Sequence, residues 1–314
     1  MTYLPNAVEK QHARIARASA TLTRLGIDPT ATPAVILARL SATAGGGHAS
    51  LLGSSYKCDL GESQGYLTAV QYLSPAGEAG VERWTPCPFA SPGCSAGCIN
   101  TTGQMVYPTH TVARVKRTLR HFIFPEMTAD SLRNEVFAHH YRAQGQGRLP
   151  AARLNGTSDL MWWTDEGWDE VMRLGTQLYD YTKRPPVGSL LTARQRGWHF
   201  TFSLNETERS LLYSQEWASH GVNTAMVVAG PVGSPTRTVA KKIAARIVEQ
   251  GHLFGRPVIN GDTHDLRFLD PAVGGWVVLA CKGHVAKHDK TGFVVRFDPE
   301  VLLGSDAPVE SGLL

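Results

Sequence analysis

Gln177-Leu-Tyr-Asp-Tyr-Thr182, His199-Phe-Thr-Phe-Ser-Leu204 and Asn223-Thr-Ala-Met-Val-Val228 are three β-rich runs separated by segments long enough for one helix each. Ala152–Asn155 precedes them, and the four runs start 25, 22 and 24 residues apart. Strands alternating with helical segments at this spacing give βα units and a parallel sheet. Outward from this centre, Tyr66–Leu73, Pro257–Ile259, Trp276–Cys281 and Phe293–Phe297 read as further strands. Leu132–Tyr141 reads as a helix capped by Asp130 or Ser131. Thr238–Gln250 reads as another, with Val239, Ile243, Ala244 and Ile247 on one face.

About eight such runs suffice for an α/β, TIM-like (β/α) barrel, complete or distorted, and an open doubly wound sheet satisfies the same pattern. Residues 1–50 read as a helical N-terminal extension, with helices at Ala7–Leu25 and Pro33–Leu40 and a hinge at Gly45-Gly46-Gly47. Residues 51–314 read as the barrel domain. In either architecture the reactive groups belong just beyond the C-terminal ends of the strands.

The first run is followed by Cys87-Pro-Phe-Ala-Ser-Pro-Gly-Cys94-Ser-Ala-Gly-Cys98, with the spacing C-x6-C-x3-C. Pro86, Pro88, Pro92, Gly93 and Gly97 break regular structure, so this segment is expected to be a loop wrapped around a ligand. Thiolates suit zinc or the iron of an iron–sulfur cluster, and three ligands leave one position open. Cys58, His110, His121 and Cys281 are eligible as a fourth ligand.

The other strand ends carry the polar candidates. Arg153-Leu-Asn155-Gly-Thr-Ser-Asp159 places an amide and a carboxylate at the mouth of the barrel. Lys183 and Arg184 end the next run as two cations suited to a phosphate, a carboxylate or a nucleic-acid backbone. Asn205 and Glu206 follow the run after that, where a helix cap is the competing role. The segment Asn260–Asp270 holds Asp262, Asp265, Asp270, His264 and Arg267, which fit acid, base or clamp chemistry as well as a salt-bridged loop. Lys282 belongs to a basic run, Cys281–Lys290, that leaves the strand ending at Cys281.

Hydrophobic residues make up 42% of the 314 and charged residues 18%, which places the chain among globular proteins. No stretch approaches the roughly 18 apolar residues of a membrane span, and the N-terminus has no apolar core of the signal-peptide type. A cytoplasmic protein with reduced thiols is therefore expected, and an odd count of five cysteines argues against a disulfide framework. The net charge of +4 permits a polyanionic partner without requiring one. The glycine and nucleophile motifs of dinucleotide binding, nucleoside triphosphate hydrolysis and serine hydrolysis are missing, as is the H-E-x-x-H zinc signature.

The cysteine trio, Arg153–Asp159, Tyr179-Asp-Tyr-Thr-Lys183, Gly261–Asp270 and the Lys282-Gly…Thr291-Gly-Phe-Val-Val close together resemble a group of bacteriophage and prophage proteins. That group is in turn similar to radical S-adenosylmethionine barrel enzymes. The resemblance covers about residues 60 to 298. It implies a 4Fe-4S cluster held by Cys87, Cys94 and Cys98, with S-adenosylmethionine on the open iron. Those enzymes carry C-x3-C-x2-C, and this chain does not.

The leading expectation is an enzyme that modifies a nucleic-acid base or nucleotide. Asp159, Asn155, Asp262 and Asp265 are its candidate catalytic residues, and Lys183, Arg184, Asn205, Arg267 and Lys282 its substrate contacts. A barrel transglycosylase that inserts a deazaguanine, with Asp159 and Asp262 or Asp265 as carboxylates and zinc on the cysteines, is the second expectation. A non-catalytic DNA-binding or host-takeover protein with structural zinc is the third.

Overall fold

The computed structural model describes residues 6–298, apart from 44–46, 166, 233–236, 284, 285 and 287. The Gly45-Gly46 part of the expected hinge, and His284 and Lys287 of the basic run, lie outside the described residues.

The chain opens with helices α1 (Ala7–Arg24) and α2 (Pro33–Leu40). Asn6 and Glu9 close a capping box on α1, and Thr32 caps α2 ahead of Pro33. There follow β1 (Leu52–Gly53), α3 (Tyr56–Glu62), β2 (Tyr66–Gln71), α4 (Pro92–Ala96), α5 (Pro108–Ile123), α6 (Pro125–Gly145) and β3 (Leu149–Arg153). Next come α7 (Trp168–Arg173), β4 (Gln177–Thr182), α8 (Gly188–Gln195), β5 (His199–Ser203), α9 (Glu208–Ser219) and β6 (Thr224–Ala229). The series closes with α10 (Arg237–Gln250), β7 (His252–Leu253), β8 (Arg256–Asn260), β9 (Trp276–Ala280) and β10 (Val294–Arg296).

Every expected strand is present within a few residues. The expected cap of the 132–141 helix is not: α6 begins at Pro125, seven residues earlier than expected. Pro125 supplies the helical φ at the first position. Asp130 pairs with Arg133, and Ser131 donates to the Met127 carbonyl, so both lie inside the helix.

Among the described residues ten strands form one sheet in the order β1-β2-β3-β4-β5-β6-β9-β8-β7, with β10 beside the C-terminal half of β6. From β2 through β8 the neighbours are parallel. The closed barrel expected from the strand count does not form. Closure would join β2 to β8, but each pairs antiparallel with a two-residue strand instead, β2 with β1 and β8 with β7. The sheet is therefore open and mixed.

Part of the reason lies in the segment after β8. Leu266 packs on α3, where a Cβ on Gly61 would stand 3.3 Å away. Phe268 sets its ring edge-on to Tyr66 of β2 and Tyr179 of β4. That segment crosses one face of the sheet, and α3 lies against β2.

The opposite face holds two apolar cores. Ala152, Leu178, Phe200 and Phe202 pack with Leu132 and Val136 of α6 and with Trp163, Trp168, Trp198 and Trp217. Met226, Val228, Trp276 and Val278 pack with Ile243, Ala244 and Ile247 of α10. A third cluster joins α1 and α2 to α5 through Leu22, Ile36, Leu119 and Ile123. Full burial of an aliphatic side chain stabilises by about 1.5–3 kcal/mol, so Leu22 and Ile36 alone fasten the N-terminal helices firmly to α5.

Candidate functional site

Side chains that alternate with the core-facing ones point to the inner face, the one crossed by residues 261–270. On five neighbouring strands the residues facing the cores are buried. One inner-facing residue at or near the C-terminal end of each is only half-buried: Arg153, Tyr181, Ser203, Val227 and Leu279. Arg153 lies 4.5 Å over the Tyr181 ring, and Val227 is directly opposite Leu279 in the register. The C-terminal edge of this face is thus partly accessible along five strands, polar under β3 to β5 and aliphatic under β6 and β9.

The cysteine segment lies along this edge and is not the irregular loop expected, because Ser91 caps the short helix α4 by accepting from the Cys94 amide at 3.1 Å. Four contacts pin it. The Cys87 thiol donates to the Thr157 carbonyl at 3.3 Å, and the Asp159 amide donates to the Pro86 carbonyl at 2.7 Å. The Glu206 carboxylate accepts from the Ser91 hydroxyl at 2.6 Å and from the Gly93 amide at 2.7 Å. The segment meets the β9–β10 connection so closely that a Cβ on Gly93 would stand 2.1 Å from Thr291 Oγ1 and 2.7 Å from Phe293 Cβ. Beyond Cys98, Asn100 donates to Glu78, which also accepts two hydrogen bonds from Arg114 of α5.

Lys183 reaches under Phe293, with its ammonium 5.6 Å from the ring centre. It donates to Ser203 Oγ at 2.8 Å and to the Ser203 carbonyl at 3.1 Å. Arg184 is turned away into a cage of Phe89 and Trp163 and donates to the Asp159 carbonyl. Asp159 is buried. Thr182 Oγ1 and the Lys183 amide donate to its carboxylate at 2.9 and 3.1 Å. Burial raises its pKa, against the pull of Arg184. Asn155 closes its own turn: its side-chain oxygen accepts from Ser158 and Leu160, and its amide N–H donates to Asp180. Asn205 accepts from Thr207, which is itself the N-cap of α9, so Asn205 closes the turn before the helix and is not its cap.

The 260–270 residues divide into two groups. Asp262 pairs with Lys282 at 3.0 Å and accepts from the Ala280 amide. Asp265 pairs with Arg153 at 2.9 Å, and Arg267 with Asp270 at 3.1 Å, in ion pairs that are almost entirely buried. Asp159, Lys183 and the cysteines are therefore brought together. Asp265 instead ties the crossing segment to β3 through Arg153, and the Arg267–Asp270 pair braces that segment internally.

Burial pushes the Cys87 thiol up to about 12; Cys98, Cys94 and Asp159 add to the rise, and the Ala76 amide opposes it. Burial also raises Cys98, with Cys94 adding. The three sulfurs are thus electrostatic neighbours, and a metal would have to displace protons from Cys87 and Cys98. Among the described residues no three His, Cys, Asp or Glu side chains are grouped so as to hold a metal ion. The donor chemistry fits a soft metal, whereas the placement does not. Of the possible fourth ligands, Cys58 contacts Ser55 Oγ, Cys281 is buried, His110 lies beside Tyr107, and His121 is set between Phe122 and Trp162.

Sequence reasoning missed Glu206 as the clamp on the cysteine segment, Tyr181 as the ring beneath Arg153 and Glu78 as the tie to α5. The strand-end position of Glu206 was a usable signal; Glu78 carried none.

A family model described as Gene product 88 matches residues 50–296, which include every strand and the cysteine segment and leave α1 and α2 outside. No curated protein and no solved structure matches the chain. No helix among the described residues is long and apolar enough to cross a membrane.

Proposed function

The chain belongs to the Gene product 88 family, a phage-type family, and from that premise we propose that it is an enzyme that modifies a nucleic-acid base or nucleotide bound in a recess at the partly accessible edge of the sheet. The observation that carries this reading is the opening of five adjacent strands at one edge, beside Lys183 and the three cysteines. A planar base is placed at the rim of the Tyr181–Arg153 pair, whose ring and guanidinium already cover each other. Lys183 is held by hydroxyl and carbonyl oxygens, so its charge is available for a phosphate or carboxylate. The aliphatic side, Val227 and Leu279, excludes water from the base.

Cys87, Cys94 and Cys98 are the proposed metal-binding residues, with an iron–sulfur cluster and S-adenosylmethionine preferred over zinc. Loading has to draw the three sulfurs together. A bound cluster of this type supplies one-electron chemistry. Glu206, by holding Ser91 and Gly93, keeps the segment over the end of β5.

The test is elemental analysis with an absorption spectrum of protein prepared without oxygen, beside nucleotide binding by wild type and Tyr181→Ala. About four irons per chain are expected for a single cluster, with nucleotide affinity lost in the variant. A protein that takes up neither iron nor zinc after anaerobic reconstitution overturns the metal role. Unchanged nucleotide affinity in Tyr181→Ala overturns the recess.

A further inference from the structure

Helices α1, α2 and α5 carry an uneven share of the charge. Residues 6–43 and 108–123 hold nine Lys and Arg against two acids, an excess of seven, while the whole chain has +4, so the remainder is net negative by three. On α1 the cations Lys10, Arg14, Arg17 and Arg24 stand at i, i+4, i+7 and i+14. At 3.6 residues per turn these positions fall within a sector of about 80°. They form one stripe beside the buried face of Ile15, Ala18 and Leu22. Lys10, Arg17 and Arg24 are exposed and Arg14 half-buried. No ion pair neutralises Lys10, Arg14 or Arg17 among the described residues; the acid on this helix, Glu9, closes the capping box with Asn6.

The stripe leads toward the cysteine segment. At its C-terminal end Arg24 donates to the Ala79 carbonyl at 3.2 Å, and Thr21 donates to the same carbonyl. From Gly80 the chain runs through Val81, Glu82, Arg83, Trp84 and Thr85, which line a shallow groove of about 350 Å³ where Arg83 pairs with Glu82, and reaches Cys87 two residues later. Arg83 holds a left-handed φ of 62°, which keeps this short stretch in an irregular path.

We propose that the cationic stripe of α1 binds the phosphate backbone of a single-stranded nucleic acid and feeds the polymer toward the cysteine edge. This deepens the reading of the recess as a site for a nucleic-acid base, and it rests on that reading for the choice of partner. Phosphates spaced along a strand match a row of cations that no carboxylate neutralises among the described residues. The helices that carry the stripe lie outside the family-model match, so this surface is an addition to the matched core.

The experiment measures anisotropy of a labelled single-stranded 20-mer (about 20 nucleotides, enough to span several phosphate contacts) over a range of salt concentrations. Two charge-matched variants are compared with wild type: Lys10→Glu/Arg17→Glu on α1, and Lys241→Glu/Lys242→Glu, exposed on α10. The α1 variant is expected to bind at least about tenfold more weakly, with a log–log salt slope shallower by about 1.4, roughly 0.7 per lost contact. The α10 variant and wild type should match. Equal weakening in both variants, salt-independent binding, or binding to anionic lipid vesicles in place of the oligonucleotide would each overturn the proposal. Mononucleotide binding in the recess is measured in parallel. If it survives while polymer binding fails the test, the stripe is refuted and the recess reading stands.

Discussion

Removing the Glu206 carboxylate should loosen the cysteine segment without unfolding the protein. In Glu206→Ala, the Ser91 hydroxyl and the Gly93 amide lose the acceptor they reach at 2.6 and 2.7 Å. A hydrogen bond to a charged group contributes about 1.5–3 kcal/mol, so the pair is bounded at about 3–6 kcal/mol. Glu206 is only half-buried and water partly replaces the lost partner, so about 3 kcal/mol is the working figure. At about 1.4 kcal/mol per tenfold, local opening should become roughly 100-fold more frequent. Hydrogen–deuterium exchange at the Gly93 and Cys94 amides reads this directly, since one donates to Glu206 and the other to the Ser91 oxygen that Glu206 holds. Glu206→Gln keeps a carbonyl oxygen for Gly93 and should lie between the two. The urea midpoint should move much less, because none of the three apolar clusters includes a residue of this segment except through Phe293 at its border. Exchange within about threefold of wild type would refute the clamp and leave steric contact at Gly93 as what positions the segment.

Two further outcomes concern the inner face and its support. Asp265→Asn strands the Arg153 guanidinium in a buried site and should cost about 3 kcal/mol in urea unfolding. Arg153→Met/Asp265→Leu should recover part of that cost, and a single-variant cost under about 1 kcal/mol would show the pair to be well hydrated. Asp180 is pushed up to about 7 by burial, even though the Asn155 amide and the Trp198 indole donate to it. Its folded pKa thus lies above the unfolded value near 3.9, so the folded state holds the extra proton and stability falls as pH rises from about 4 to 7. Asp180→Asn should flatten that part of the pH–stability profile, and an equally steep fall in the variant would assign the dependence to another group.

Much of the fold was legible because its signals are local. Gln177–Thr182 was read with its observed bounds, and Pro33–Leu40 likewise, since β-rich runs ending in polar residues and a Thr-Pro helix start leave little choice. The α6 start was misplaced because Asp130 and Ser131 look like caps, while Pro125, seven residues before the expected start, sets the true first turn. The two-residue strands β1 and β7 left no signal of their own, yet they occupy the edges that closure of the barrel needed. At the site, Lys183 stands out by its strand-end position, and the cysteines by their C-x6-C-x3-C clustering. Asn155 and Asn205 also stand out by strand-end position, but their side chains are taken up by turn bonding.

By itself the sequence determined a core of parallel βα units with polar and cysteine-bearing segments after the strands, because periodicity and crossover length act over a few tens of residues. Only the tertiary structure decided that the sheet stays open, that residues 261–270 cross its inner face, and that the cysteine segment and Asp159 come together. The deciding contacts join residues far apart in the chain: Glu206 to Ser91 across 115 positions, and Arg153 to Asp265 across 112. No local pattern specifies such partners. They follow from which side chains the folded backbone brings within hydrogen-bonding reach, and from the cost of leaving a buried charge without one.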